Sequence, residues 1–428
     1  MMRPSAAGPR TLQGKNMSDT DRREPTAGSE TEAPTGPTEE PGHPGWLSLG
    51  EILKNNDPIF AKSLFLIGYH FSCNIYVLGG TYLTVVDPGN DYTGLLDLFR
   101  CGTDPASIGK IVLTHGHRDH AMGSFELLRY PPVMENKDLE IILHEAGPKE
   151  FKQIVRETGH RLTEVRGGET IDLSGFPWEV IHTPGHTIDG ITLYNGPSKT
   201  ALTGDVILPH AMADIDKQAG GRLDHYLYSV RTLLKREIRT VLPGHGVPVA
   251  SDGRTAIEQT YESLLMKIVG AEGPIPWLEG AKALVQRGLL EEAVFCCNKE
   301  LASKPENLTA LQLKALSLDD LGRCEESVAV FDAILSRQSD NPHALAGKGH
   351  ALLGLGEYGK SLGYFDRVLA IAPDFKEAHV FKGMALYLSG RYDEAMDIEA
   401  FRTEFAGRFK EQLERVSQTR RGESGRSS

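Results

Sequence analysis

No run of this chain approaches the ~20 consecutive apolar residues that a membrane-spanning helix needs, so no membrane association is expected. Cysteine is scarce and odd in number. Cys73, Cys101, Cys296, Cys297 and Cys324 are scattered, with neither the pattern of a disulfide framework nor zinc-finger spacing, and a reducing, cytoplasmic setting is expected. Basic clusters are also missing. Net charge is −12, and no block of lysine or arginine stands out before the short Lys235-Arg236-Glu237-Ile238-Arg239 stretch. Because phosphate binding draws its affinity from clustered cations, a nucleic-acid partner is not expected.

Aliphatic residues are nearly absent from residues 1–45, where Pro, Gly, Thr, Ser and Glu dominate. Such a segment buries too little apolar surface to offset the entropy of ordering, so disorder is expected. It also lacks the apolar core of a secretory signal, and Met17 offers an alternative start. The remaining length suits two domains. Over 46–270, short β-rich runs alternate with longer helical ones, the pattern of an α/β domain. Leu64–Ile67, Asn74–Leu78, Tyr82–Val86 and Ile141–Leu143 read as strands, and Asp91–Phe99, Phe125–Tyr130 and Leu223–Ile238 as amphipathic helices. The early strands follow one another closely enough to be antiparallel, while later ones alternate with helices.

The densest chemistry lies in Thr114-His115-Gly116-His117-Arg118-Asp119-His120, directly after the apolar run Ile111-Val112-Leu113. Imidazole and carboxylate suit zinc and related first-row metals. In an extended segment alternate residues face the same way, so His115 and His117 converge on one ion. Asp119 and His120 are neighbours with divergent directions, which leaves too many ligands for one four-coordinate ion and points to two. Three further candidates follow: His186, Asp205 and His245. Each sits where an apolar run meets a glycine turn, beyond the carboxyl end of a strand, where α/β proteins gather ligands.

This pattern, His-x-His-x-Asp-His followed by His, Asp and His, resembles that of the metallo-β-lactamase-fold superfamily. The resemblance implies an αββα sandwich with His115, His117 and His186 on one metal, Asp119, His120 and His245 on a second, and Asp205 between them. It implies two divalent ions, zinc in the first instance with iron as the alternative. Val85-Val86-Asp87-Pro88-Gly89 is similar to the family's buried aspartate that orients a histidine ligand. Thr183-Pro184-Gly185-His186-Thr187 and Pro243-Gly244-His245-Gly246 look most similar to the glyoxalase II branch of thioester, ester and lactone hydrolases.

The activity implied is hydrolysis by metal-bound hydroxide, available at neutral pH because the metal lowers the pKa of its water to ~7. Two divalent ions against two carboxylates and one hydroxide leave about one positive charge, which draws an anionic or carbonyl-bearing small molecule. Asp119 would pass a proton to the leaving group. His182 and Thr187 either hydrogen-bond a ligand or shape the Pro-Gly turn, and His210, His225, Tyr226 and Tyr228 either touch substrate or pack. The same ligands on a single iron would suit an oxygen-dependent enzyme of the persulfide dioxygenase kind. The interval from Asp205 to His245 leaves little room for the insertion of the family's nucleases.

From about Pro274 the strands stop. Gly288, Gly322, Gly356 and Gly390 are spaced by 34 residues, with Leu290, Cys324, Tyr358 and Tyr392 two after each glycine and Ala293, Ser327, Ser361 and Ala395 five after. Cys297, Phe331, Phe365 and Glu399 stand nine after. This period is that of tetratricopeptide repeats. About four repeats are expected over 274–409, forming an all-α solenoid, with a charged tail over 410–428. Such solenoids present a concave groove to a protein or peptide, here lined by Gln312, Leu316, Asp319, Ala346, His350, Val380, Met384 and Tyr387. The groove offers a third reading, an interaction protein with a subsidiary hydrolase.

Overall fold

A computed structural model describes residues 45–69, 71–271, 273, 276–405 and 407. The segment expected to be disordered, apart from Gly45, and the tail over 410–428 lie outside these residues. One sheet runs in sequence order: β1 (Trp46–Ser48), β2 (Leu64–Leu66), β3 (Ile75–Gly79), β4 (Leu83–Val86), β5 (Ile108–Val112), β6 (Glu140–His144) and β7 (Arg161–Val165). It is antiparallel from β1 to β4 and parallel from β4 to β7. The second sheet comprises β8 (Thr170–Leu173), β9 (Phe176–His182), β10 (Ile191–Asn195), β11 (Thr200–Gly204) and β12 (Thr240–Pro243), with only β11 and β12 parallel.

Period-two alternation builds the layers. Val86, Val112 and Ile142 are in register and point between the sheets, where they meet Trp178, Val180, Leu193, Leu202 and Leu242. Their neighbours Val85, Ile111 and Ile141 point the other way, into a core with Leu95, Leu98, Leu127, Phe151 and Val155. Successive strand residues face opposite sides, so adjacent aliphatic residues serve two cores. The outer helices of this first sheet are α2 (Thr93–Arg100), α3 (Arg118–Leu127) and α5 (Lys149–Thr158), while α1 (Leu49–Leu53) and α4 (Pro131–Glu135) are short. On the second sheet lie α6 (Leu223–Leu234) and α7 (Gly253–Val269). The result is a sandwich of two sheets between helices.

One expected helix is displaced. Instead of occupying Phe125–Tyr130, α3 starts at Arg118, inside the histidine-rich motif, and ends at Leu127. His117 takes the extended cap position, and Asp119 falls in the first turn, where a carboxylate complements the positive end of the helix.

The helical region stacks α8 (Trp277–Gln286), α9 (Leu290–Ser303), α10 (Leu308–Asp320), α11 (Cys324–Leu335), α12 (Pro342–Gly354), α13 (Tyr358–Ile371), α14 (Lys376–Leu388) and α15 (Tyr392–Asp397) as pairs. Gly288, Gly322, Gly356 and Gly390 turn each pair in the left-handed region, with φ of 72, 74, 78 and 82°. A Cβ at any of them would meet nothing within 4 Å, so backbone conformation alone selects glycine. Gly356→Ala is therefore expected to cost about 1–2 kcal/mol. Gly363→Ala, on the exposed side of α13 with open space around it and no positive φ, should gain about 0.5–1 kcal/mol. Denaturant midpoints of the two variants, moving in opposite directions, check this.

The last pair departs from the repeat. The residue equivalent to Phe365 is Glu399, but α15 stops at Asp397, Ile398 is extended, and helix resumes at 399. Phe401, two positions late, then packs on Gly383 as Phe365 packs on Gly349. The groove takes His350, Val380, Met384 and Tyr387 from the expected set, together with Phe381, Leu388, Phe401 and Phe405, around a cavity of about 350 Å³. Asp319 accepts from His350 Nδ1 at 2.6 Å, and Ala346 is buried in the repeat core.

The first pair is continuous with the sandwich. One apolar cluster runs from Ala201 and Val241 through Tyr226 and Val230 of α6 and Ile257 and Leu264 of α7 to Ala281, Leu284, Ala293 and Cys296 of α8 and α9. Tyr261 and Phe295 meet edge to face at 4.8 Å, and Lys299 bridges Glu258 and Glu262 at 2.7 and 2.9 Å. Among the described residues no helix is long and apolar enough to cross a membrane.

Candidate metal centre

All seven residues singled out in the sequence lie together, where the ends of the two sheets meet. The loop after β5 and the start of α3 supply His115, His117, Asp119 and His120; the ends of β9, β11 and β12 lead to His186, Asp205 and His245. His117 Nδ1 lies 3.1 Å from His115 Nε2 and 2.9 Å from His186 Nε2. Three imidazole nitrogens thus converge on one point. In the second trio, Asp119 Oδ2 lies 3.1 Å from His245 Nε2 and 3.7 Å from His120 Nε2. Asp205 Oδ2 sits between the trios, 3.7 Å from His186 Nε2 and 3.6 Å from His245 Nε2. Gly244 is required beside them, since a Cβ there would fall 2.1 Å from Asp205 Oδ1.

The nitrogens that do not converge are held. Asp87 is the hub: Oδ1 accepts from Thr114 N at 2.7 Å, and Oδ2 accepts from Thr114 Oγ1 at 2.6 Å and from His120 Nδ1 at 2.8 Å. Thr114 Oγ1, donating to Asp87, accepts from His115 Nδ1 at 3.2 Å. His186 Nδ1 donates to the Asp214 carbonyl at 2.5 Å and His117 Nε2 to Asp216 Oδ2 at 3.1 Å. Each of these four rings is thereby set in the tautomer whose lone pair faces the centre. Asp87 is buried and holds a left-handed φ of 52°, a conformation unusual for a non-glycine residue.

Two buried atoms remain without partners, His120 Nε2 and Asp205 Oδ1, facing one another across 3.4 Å. Polar atoms this deep without hydrogen bonds call for an explanation such as an ion. Convergent lone pairs of neutral imidazoles beside carboxylates are the donor set of a divalent cation, so the residues present fit the metals that the fold implies. The electrostatics agree. Burial, reinforced by His120, pushes the His115 imidazole well below its ordinary range. Burial opposes ionisation of Asp205, but His120, His115 and His245 outweigh it and hold the carboxyl well below the usual carboxylate range. Burial likewise opposes charge on His120, yet Cys73, Asp205 and Asp87 raise it well above the ordinary histidine range.

Of the less settled candidates, His182 shapes the turn, its Nε2 donating to the Ile188 carbonyl at 2.8 Å while its ring stacks on His144. Thr187 Oγ1 is buried without a partner. Tyr226 is buried with its hydroxyl on the Asp205 carbonyl at 3.2 Å, whereas Tyr228 is exposed. Sequence reading missed Asp216. Its Oδ1 accepts from Gln218 N and Ala219 N, an Asx turn that local sequence can suggest. Its link to His117, 99 residues away, has no such signal. Asp216→Asn retains the turn but offers His117 Nε2 an amide N–H, favouring the tautomer that points a proton at the centre. We expect affinity for zinc to fall about 10–100-fold with thermal stability unchanged, measured by titration against a competing chelator.

Residues 68–245 match the Metallo-beta-lactamase superfamily, and residues 313–375 and 347–402 the Tetratricopeptide repeat. An uncharacterized protein of Mycobacterium tuberculosis (strain ATCC 25618 / H37Rv) is 32% identical over 197 residues, 41% of this chain and 86% of that protein. The chain belongs to the metallo-β-lactamase superfamily. In this superfamily member the repeats follow the metallo-β-lactamase domain. It is also similar to a hydroxyacylglutathione hydrolase of Haemophilus influenzae, at 26% identity over 170 residues, covering 38% of this chain and 79% of that one. A solved metallo-beta-lactamase family protein from Thermus thermophilus aligns with a TM-score of 0.39 at 22% identity, covering 57% of this chain and 94% of the other.

Proposed function

We propose that this protein is a metal-dependent hydrolase of a thioester, ester or lactone. The observation that carries this reading is the pair of trios, His115, His117, His186 and Asp119, His120, His245, with Asp205 Oδ2 between them. Two divalent ions held there, zinc by preference, would supply a Lewis acid and a water acidic enough to attack at neutral pH. The protein's own residues do the rest. Burial raises the Asp119 carboxyl, but His245 and His120 more than offset this and hold it below its ordinary range, so it is ionised and accepts a proton. Its Oδ2 faces the ring nitrogens of His245 and His120 within the trio, which leaves Oδ1 to carry that proton to the leaving group.

The rim favours an apolar acyl group. Tyr69 and Phe71 are 71% and 86% exposed and Val247 is 58% exposed. Their loops are rooted at the centre, through Cys73 N to the Asp119 carbonyl at 3.2 Å and Asn74 Nδ2 to the Gly246 carbonyl at 2.7 Å. Large apolar side chains exposed on loops rooted at a polar site suit a binding surface. The solenoid groove adds a protein or peptide partner to this reading, and five cysteines without disulfides fit a cytoplasmic setting.

The test is metal analysis after anaerobic purification, with a panel of acyl thioesters, esters and lactones and with oxygen uptake followed in parallel. Hydrolysis abolished by chelation and restored by zinc is the expected result. Oxygen consumption with one iron per chain and no hydrolysis would overturn it.

A further inference from the structure

Three polar side chains join the solenoid to the sandwich, the carboxylate and the phenol buried and the guanidinium partly exposed. Glu292 on α9 is 1% exposed, and its Oε1 accepts from Tyr261 Oη of α7 at 3.0 Å and from Arg231 Nη1 of α6 at 3.1 Å. Arg231 shares its helix with the groups that hold one half of the metal centre. Ser229 Oγ donates to the Pro184 carbonyl at 2.6 Å, and Tyr226 Oη donates to the Asp205 carbonyl at 3.2 Å. The start of Tyr226 lies so close to Gly185 that a Cβ there would be 2.3 Å from the Tyr226 Cα. One helix of 12 residues therefore touches the turn that carries His186, the backbone of Asp205 and the buried carboxylate of the solenoid.

The centre is divided in a way that makes this helix decisive. His115, His117, Asp119 and His120 come from the first sheet, whereas His186, Asp205 and His245 come from the second, on whose outer face α6 packs. Displacement of α6 moves His186 and Asp205 against the four residues opposite. A buried carboxylate fixes its guanidinium partner strongly, because removing one member strands the other's charge.

We propose that Glu292 is a positioning residue of the metal centre, acting through Arg231 and α6 on Asp205 and the Pro184-Gly185-His186 turn, so that the first solenoid pair is a working part of that centre. This rests on the metal-centre reading given above. The test uses the full chain loaded with zinc or cobalt, comparing Glu292→Gln and Arg231→Gln with Tyr261→Phe. The last variant removes a hydrogen bond from the same carboxylate but leaves the link to α6.

Metal affinity is read by chelator competition, geometry by the cobalt absorption spectrum, and stability by thermal unfolding, all well below the midpoint for the first two. Glu292→Gln and Arg231→Gln are expected to weaken affinity about tenfold, at the low end for residues supporting a ligand, and to alter the cobalt spectrum. The double variant should weaken it no further, and Tyr261→Phe should move the thermal midpoint alone. Lower midpoints with wild-type affinity and spectrum in both variants would reduce the link to a structural one and overturn the proposal. Neither readout needs a substrate. Absence of hydrolysis by the wild-type chain, with affinities that move as expected, would therefore sink the hydrolase reading and leave the positioning role standing.

Discussion

Asp119→Asn is expected to lower kcat by about 10²–10⁴-fold, the range for loss of a positioned proton-transfer group. The substitution keeps the size of the side chain and an oxygen within reach of His245, so the geometry of the second trio changes little. What changes is proton affinity. The carboxyl of Asp119 is held below its ordinary range chiefly because His245 and His120 outweigh its burial, and an amide neither accepts nor returns a proton. The measurement is steady-state turnover on the substrate found by the panel, with metal content determined on the same samples so that a loss of metal is not read as a loss of proton transfer. Near-wild-type kcat at full metal content would remove Asp119 from that role.

A chain ending at residue 270 is expected not to accumulate as a folded, soluble protein. Tyr261, Ile257, Leu264 and Leu265 of α7 are 2% exposed or less, and they share one apolar cluster with Ala281, Leu284, Ala293, Cys296 and Cys297 of the first solenoid pair. Truncation removes the ring of Phe295 from Tyr261 and leaves Glu258 and Glu262 without Lys299. Each large apolar side chain bared to water costs about 1.5–3 kcal/mol, and net stability of a domain is only about 5–15 kcal/mol. Soluble yield and thermal unfolding of chains ending at 270 and at 306 separate the effect of the first pair from that of the rest. The longer chain should fold, since it keeps α8 and α9. A stable, monomeric chain ending at 270 would show that the shared cluster is dispensable.

The reach of the sequence follows from the range of the forces involved. Alternation within Val85-Val86 and Ile141-Ile142 exposes two-sided strands because the period of a strand is local. The 34-residue glycine spacing is legible for a similar reason: left-handed φ at one turn selects one residue, and the selection repeats. The seven candidate residues were readable as a group because four are nearly contiguous and the other three each follow a strand. Asp87 entered through its resemblance to a known pattern, and the structure gives it a physical task, orienting one histidine in each trio. Other features depend on tertiary approach and leave no local trace. Asp216 meets His117 only because the loop after β11 returns over the centre, and Glu292 is one glutamate in an ordinary helix until Arg231 arrives. The start of α3 at Arg118 was hidden by the metal motif itself, whose histidines read as an extended segment.

Phe401 also escaped the repeat, since the extended Ile398 shifts it two places beyond the position its equivalents occupy. Among the described residues that late aromatic closes a small cluster whose buried members are Leu386, Ala395 and Phe401, while the opposite end of the stack is merged into the large cluster of the sandwich. In a linear array whose units are held by their neighbours, such unequal ends impose a direction on opening. Amide hydrogen exchange should be fastest in α14 and α15 and slow progressively towards α8 and α9, so that the groove unzips from its far end while the sandwich remains closed.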